Sequence, residues 1–254
     1  MKSALKLAVQ KSGRLSDASL GLIKECGISF PTRIARLKAQ AFNFPMEFLY
    51  LRDDDIPRYV ADQVSDVGIV GQNVLLEKGG DLEVVQKLGF SKCRLSIAVP
   101  KEFDYQGPES LAGLNIATSY PNILGKFLDQ NRVKASIHEI SGSVEIAPSI
   151  GLAEAVCDIV STGSTLVSNG LLEVETLLHS QAVLVARPQL EEDKKAILDQ
   201  LLFRIRSVQT AKQSKYILLN APNQAIDKIT ELLPGMRSPT VLPLAQPGWS
   251  SLHS

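Results

Sequence analysis

Residues 158–170 read DIVSTGSTLVSNG. An acid and two β-branched apolar residues close a buried-looking strand, and Ser161, Thr162, Gly163, Ser164 and Thr165 follow without interruption. Such residues have little side chain to pack. They carry many backbone N–H groups and hydroxyls that can converge on one object. A phosphate is the physical candidate, because clustered N–H dipoles and Ser/Thr hydroxyls suit an anion. An ordinary Ser/Thr/Gly turn is the alternative.

The same punctuation recurs along the chain. Short β-branched or aliphatic runs lie at Leu5–Val9, Phe48–Leu51, Val67–Val70, Leu95–Val99, Ile116–Thr118, Ile137–Ile140, Ile159–Val160, Ala182–Ala186, Tyr216–Leu219 and Thr240–Leu244. Helix-like segments separate many of them, which predicts an α/β fold with mixed, largely parallel sheets. Ser16 is expected to cap a helix from Asp17 to Cys26, closed by Gly27. Asp55 is expected to cap the next, with Pro57 in its first turn. Residues 190–213 give the strongest helix: Ile197, Leu198, Leu201, Leu202, Ile205 and Val208 share a face, acids lead and bases trail. A last helix, Gln224–Leu233, is expected to stop at Pro234 and Gly235. The polar stretch QTAKQSK (209–215) reads as a domain boundary. Beyond it, YILLNAP, AIDKITELLPG and TVLPLA make a βαβ-like piece, and QPGWSSLHS reads as a strand-like tail with no partner helix or closing strand.

Composition removes several function classes. The chain has 254 residues, 44% of them apolar, enough for two ordinary domains or one large α/β unit. Its 27 basic and 27 acidic residues cancel, so the basic excess of a nucleic-acid binder is missing and any phosphate chemistry must be local. Cys26, Cys93 and Cys157 are far apart and odd in number, without C-x-x-C spacing, which predicts free thiols in a reducing compartment. His138, His179 and His253 are equally scattered, so no zinc cage or Cys/His pair is indicated. The opening MKSALKLAVQKSGRL is not a signal peptide, and no window approaches the ~18 apolar residues of a membrane span. A cytoplasmic protein that binds neither nucleic acid nor membrane is the expectation.

Four further segments carry candidate chemistry. Gln10, Lys11, Ser12, Gly13 and Arg14 follow the first strand, where ligands gather in parallel α/β sheets, and a Lys and an Arg around a Gly suit a polyphosphate as well as plain surface charge. In RDDDIPRYVADQVSDVGIVGQNVL (52–75), three adjacent carboxylates need relief from a helix N-terminus or from Mg²⁺ riding on substrate phosphates. Its later glycines, Gly68 and Gly71, permit close approach of a flat ligand or another backbone. IATSYPNILGKF (116–127) repeats the pattern of strand, hydroxyl loop and helix. In 140–166, Glu145 stands among apolar neighbours and would be costly if buried unpaired, so a partner is expected.

Together QKSGRL, RDDDIPRYVADQVSDVGIVGQNVL, IATSYPN, GSVEIAPSIGLAEAVCDIVSTGSTLVSNGL and KYILLNAPNQAIDKITELLPGMRSPTVLPL resemble the ATP phosphoribosyltransferase family, from Leu5 to about Leu244. The resemblance implies a transferase that joins ATP to phosphoribosyl pyrophosphate, giving phosphoribosyl-ATP and pyrophosphate, the first step of histidine biosynthesis. Adenine N1 would attack the anomeric carbon with inversion, with no general base and with Mg²⁺ on the pyrophosphate. By the same resemblance Ser161, Thr162, Gly163, Ser164 and Thr165 cradle the 5′-phosphate, and Asp158 sits near the ribose hydroxyls. Lys11, Arg14 and Glu145 take catalytic positions near the polyphosphate, nucleotide and metal-bound substrate. Gln10, Gly13, Asp54 and Gly71 fall on the nucleotide side, and no metal ligand is assigned.

The implied architecture is two lobes like those of periplasmic binding proteins: lobe one 1–92 with 180–212, lobe two 93–179, and the site in the cleft. Residues 215–254 resemble about half of a small βαββαβ unit through which the family's long form binds histidine. Dimers assembling into hexamers, and inhibition by histidine or AMP, follow from the same resemblance. The rival reading is a bilobal small-molecule binder or a regulatory paralogue without chemistry. A secreted solute-binding protein would carry a signal, and the intact 158–165 loop with Lys11 and Arg14 speaks against a dead paralogue.

Overall fold

A computed structural model describes residues 4–31, 37–213, 215–233 and 239–254. The chain runs β1 (Leu5–Gln10), α1 (Arg14–Glu25), β2 (Lys38–Gln40), β3 (Met46–Leu51), α2 (Ile56–Ala61), β4 (Val67–Gly71), α3 (Gln72–Lys78), β5 (Glu83–Lys87), β6 (Cys93–Pro100) and β7 (Asn115–Thr118). It continues through α4 (Pro121–Gln130), β8 (Ser136–Glu139), β9 (Ala155–Val160), α5 (Ser164–Ser168), β10 (Leu171–Ser180), β11 (Ala182–Ala186) and α6 (Glu192–Gln213). It closes with β12 (Leu218–Pro222), α7 (Ile226–Leu232), β13 (Thr240–Pro243) and β14 (Trp249–His253). Two compact units result, Met1–Ile205 and Arg206–Ser254, divided within α6.

The first unit holds two mixed sheets, ordered β2-β3-β1-β4-β11-β5 and β10-β6-β9-β7-β8. Parallel ladders β3-β1-β4 and β9-β7-β8 place several strand ends and the loops that follow them on one side of each sheet. Antiparallel strands fill the remaining places. The chain leaves the first sheet between β5 and β6 and returns between β10 and β11.

Strand alternation decides what faces the site. Along β6 and β9, Leu95, Ile97, Val99, Ala155 and Cys157 pack into one core cluster, whereas Ala98, Val156 and Val160 pack into another with Val144, Leu166 and Leu171. With a period of two, Asp158 shares the second face, that of Val156 and Val160. In the first sheet Gly68 has a packing role: a Cβ there would lie 2.6 Å from Ile56 Cγ2. Its absence lets α2 seat the fully buried Ile56 and Val60, each contributing about 1.5–3 kcal/mol. Asp66 is buried at the start of β4, accepting from Lys6 N–H at 2.9 Å and Lys194 Nζ at 2.8 Å, so one acid ties β1, β4 and α6.

Three local expectations are corrected. Helix α1 begins at Arg14 with Gly13 as N-cap, and Ser16 is buried inside the first turn rather than capping it. The Asp17 N–H already finds Gly13 O at 3.0 Å, so the helix needs no side-chain cap at Ser16. Its other end follows the expectation for Gly27, which donates to Lys24 O while Ile28 donates to Ile23 O. Asp55 stands at the start of α2 but makes no side-chain cap bond, because Asp53–Asp55 already coil into a 3-10 turn that leads into the helix. In α6, Ile197, Leu198, Leu201, Leu202 and Ile205 are buried as expected, and Val208 only partly.

The third correction concerns the tail. In the second unit β14 is the central strand of a three-stranded sheet ordered β12-β14-β13, antiparallel to both neighbours. The strands β12 and β13 of the βαβ-like piece are therefore parallel but separated. Pro247 and Gly248, read as part of an ending, lie in the reversal that lets Trp249–His253 return between them, with Leu252 fully buried. The expected stop of the last helix at Pro234 and Gly235 lies outside the described residues.

Candidate functional site

A pocket of about 270 Å³ opens in the first unit, lined by Arg14, Glu145 and every residue from Asp158 to Leu166. Arg14 opens α1, just after β1 of the first sheet, whereas Asp158, Ile159 and Val160 end β9 of the second sheet and Glu145 and Ser161–Leu166 follow strands of that sheet. Glu145 arrives through the 3-10 turn Val144–Ile146, whose Val144 is buried on the Asp158 face of the second sheet.

The loop Ser161–Thr165 has the backbone its composition required. Gly163 takes φ +82°, a left-handed conformation that side chains resist, and it caps the short helix α5. The first turn of a helix leaves N–H groups without intrahelical acceptors. Thr162 and Ser164 hydroxyls stand 3.0 Å apart, and Ser161, Thr162, Ser164 and Thr165 are exposed on the pocket. From behind, Arg94 donates to Ser161 O at 3.4 Å while its guanidinium is held by the Glu173 carboxylate, so the loop is anchored to β6 and β10.

Charge is divided across the pocket. Arg14 supplies positive charge from one wall, and Glu145 with Asp158 supplies negative charge from the other. Burial pushes the Asp158 carboxyl above its usual range, the Ile159 N–H at 2.7 Å partly offsets this, and Glu145 adds to the rise. Among the described residues no hydrogen bond or ion pair holds the Glu145 side chain; half-buried and facing the pocket, it does not have the structural partner expected of it.

The other sequence candidates are placed apart from this lining. Gln10 ends β1, Lys11 is exposed beside it with its N–H on Leu51 O at 2.8 Å, and Gly13 takes φ +100° below the Gln10 side chain. Asp54 is exposed on the 3-10 turn. The space at Gly71 is filled from within: a Cβ would lie 2.4 Å from Asn73 Oδ1. Cys26 and Cys157 are buried, Cys93 is half-buried, and burial raises the Cys157 thiol out of reactive range.

Two residues outside the lining, each within a segment already singled out, are coupled to it by charge. Tyr120 has its phenol raised by burial; the Asn73 hydrogen bond opposes this, and the charges of Asp158, Asp53 and Asp54 add to the rise, so the ring feels both the pocket acid and the Asp53–Asp55 turn. Burial, with the charge of Asp54 added, pushes Asp53 up to about 6, and its Oδ1 is buried without a partner. The run of three acids was visible; the sequence carried no sign that the first would turn inward.

The fold and pocket define a two-sheet α/β protein of the periplasmic-binding-protein type with a hydroxyl-rich loop on its pocket. An ArgBP mutant from Thermotoga maritima shares this fold alone, at TM-score 0.53 and 13% identity over 83% of this chain and 91% of that one. The ATP phosphoribosyl transferase (HisG:HisZ) complex from the same organism is more similar: TM-score 0.70, 28% identity, 80% of this chain and 98% of that chain. The ATP phosphoribosyltransferase of Cytophaga hutchinsonii is 63% identical over all 254 residues, which cover 89% of its length. Residues 52–207 match the ATP phosphoribosyltransferase family model, and residues 211–254 match the model of the HisG C-terminal domain. The chain belongs to the ATP phosphoribosyltransferase family. It is accordingly a pentosyltransferase of histidine biosynthesis.

Proposed function

We propose that the pocket between Arg14 and the Asp158–Thr165 segment is where the chain holds phosphoribosyl pyrophosphate for attack by adenine N1 of ATP. The observation that carries this reading is that one cavity is lined by a cation from the first sheet and by acids and neutral donors from the second. Ser161–Thr165 would take the 5′-phosphate, Asp158 the ribose hydroxyls, and Arg14 and Lys11 the pyrophosphate and nucleotide. Gln10, Gly13, Asp54 and Gly71 fall to the nucleotide side on resemblance alone; the space at Gly71 is already used by Asn73. Residues 1–92 with 180–212 would form one lobe, 93–179 the other, and 215–254 the histidine-binding unit.

The residues' work is alignment and neutralisation. Bond breaking at the anomeric carbon leaves positive charge on the sugar and negative charge on pyrophosphate. Asp158 and Glu145 face the first and Arg14 the second. Adenine N1 has a free lone pair, so no residue needs to remove a proton before attack. Mg²⁺ fits as an ion carried by the substrate: among the described residues no group of three or more His, Cys, Asp or Glu could hold a metal, and Mg²⁺ often uses only one or two protein carboxylates, here Glu145 or Asp158. When bound, the ion would add positive charge at the departing pyrophosphate.

Among the described residues no helix is long and apolar enough to cross a membrane. A cytoplasmic location, homo-oligomers, and inhibition by histidine or AMP complete the reading. The test is to mix the purified protein with ATP, phosphoribosyl pyrophosphate, Mg²⁺ and pyrophosphatase, with and without histidine, and follow phosphoribosyl-ATP by absorbance. Product formation supports transfer in this pocket, and its suppression by histidine supports regulation through the second unit. Binding of phosphoribosyl pyrophosphate without product would favour the regulatory paralogue.

A further inference from the structure

Helix α3 leaves the first sheet directly after β4, and one of its faces grips the start of the second sheet's helix α4. Glu77 is 5% exposed. Its Oε1 accepts the Asn122 N–H at 2.9 Å and its Oε2 accepts the Ile123 N–H at 3.0 Å. Asn122 Nδ2 donates in return to Glu77 O at 3.1 Å. The carboxylate thus satisfies two of the N-terminal donors of a ten-residue helix and meets the positive end of its dipole.

One turn earlier on the same face, Asn73 makes the second grip. Its Nδ2 donates to Tyr120 Oη at 2.9 Å, its N–H donates to Ser180 Oγ at 3.0 Å, and Ser180 donates back to Asn73 Oδ1 at 2.8 Å. Ser180 ends β10, next to the point where the chain returns to the first sheet. The missing Cβ of Gly71 leaves room for the Asn73 amide. Asn73 and Glu77 are four residues apart, so both project from one side of the helix. Neither is part of the pocket lining, yet they join the segment after β4 to the segment after β7. Those are neighbours of the two loops that carry Arg14 and Ser161–Thr165.

We infer that Glu77 and Asn73 form a latch between the two sheets that sets the spacing of Arg14 from the Ser161–Thr165 loop, making both of them positioning residues for the transfer reaction. The inference rests on the reading of this pocket as the substrate site. A slack latch leaves each wall intact but forces the substrate to draw the walls together, so affinity falls before turnover does. A purely structural role behaves differently: it reduces the folded fraction, lowering apparent kcat and leaving KM unchanged.

The test compares Glu77→Gln, Tyr120→Phe and Arg14→Ala by full kinetics, with the folded fraction measured by circular dichroism. Glu77→Gln removes one of the two acceptors and is expected to raise KM for phosphoribosyl pyrophosphate about tenfold, with kcat per folded molecule changed by less than about threefold. Tyr120→Phe removes only the acceptor of the Asn73 amide, keeps the ring, and is expected to raise the same KM about threefold. It decides the matter if Glu77→Gln does not fold. Unchanged KM in the folded variants, with activity tracking the folded fraction, overturns the latch. If Arg14→Ala also leaves KM and kcat untouched, the reading of the pocket itself has failed and the latch falls with it; if Arg14→Ala is impaired while the other two are not, only the latch is lost.

Discussion

The loops after β1 and β9 both end a central strand and both turn into a helix at a glycine with positive φ, Gly13 and Gly163. They put different chemistry on that shared geometry. The first presents Lys11 and Arg14, long flexible cations whose attraction reaches across solvent; the second presents short hydroxyls and backbone N–H groups, which act only in contact. The difference follows from their neighbours. Asp158 and Glu145 stand beside the second loop, and a Lys or Arg there would pair with them rather than with a ligand. In the proposed reading, neutral donors take the phosphate without that competition, while Arg14 carries the positive charge.

The comparison breaks first if the second loop tolerates a side chain at its turn. Gly163→Val asks a β-branched residue to adopt φ +82°, and kcat/KM is expected to fall by about 10²-fold or more while the melting temperature drops by only a few degrees, since the strain is confined to one turn. Steady-state kinetics beside a thermal melt checks both halves; a loss below about threefold would remove the loop from phosphate recognition. Arg14→Ala is expected to cost about 30-fold in kcat/KM, and Arg14→Lys less, since charge survives but the planar fork does not.

The Asp53–Asp55 turn sharpens the contrast from the opposite sign. Its Asp53 carboxyl is raised from 3.8 to about 6 by burial and by Asp54, so the folded state holds this proton more tightly than the unfolded chain. The contribution favours folding below 3.8 and is lost as pH rises through about 6, leaving the ionised group a cost above that window. Asp53→Asn should therefore raise stability at neutral pH by something on the order of 2 kcal/mol and flatten the decline across that window, as read from denaturant melts against pH. A smaller effect is expected of Lys11→Gln: a loss of about threefold in kcat/KM at low salt that shrinks toward nothing near 1 M, where the Debye length is about 3 Å. An equal loss at both salt concentrations would mean that Lys11 acts in contact and that the two loops differ less than their composition suggests.

Much of this was legible along the chain. The strands Leu5–Gln10 and Val67–Gly71 were legible from the aliphatic runs Leu5–Val9 and Val67–Val70, but only the Ile159–Val160 end of Ala155–Val160 was, since Asp158 interrupts that strand; the loop after Val160 was legible from its Ser, Thr and Gly. Glycine was legible as a need for space but not as to who fills it: Ile56 stands over Gly68 and Asn73 over Gly71, and neither is a ligand. Ser16 looked like a cap because capping is a local rule, whereas the cap stands three residues earlier, at a glycine whose carbonyl was already placed.

The sequence by itself determined the α/β class, the family, and the residue types at each loop, since periodicity, turn chemistry and motif are properties of neighbours in the chain. Only the tertiary structure decided that Trp249–His253 completes a sheet, that Asp53 turns inward, and that Arg14 meets Glu145 and the Asp158–Thr165 segment around one cavity. Those facts depend on contacts between residues far apart in sequence, whose energies local pattern does not encode.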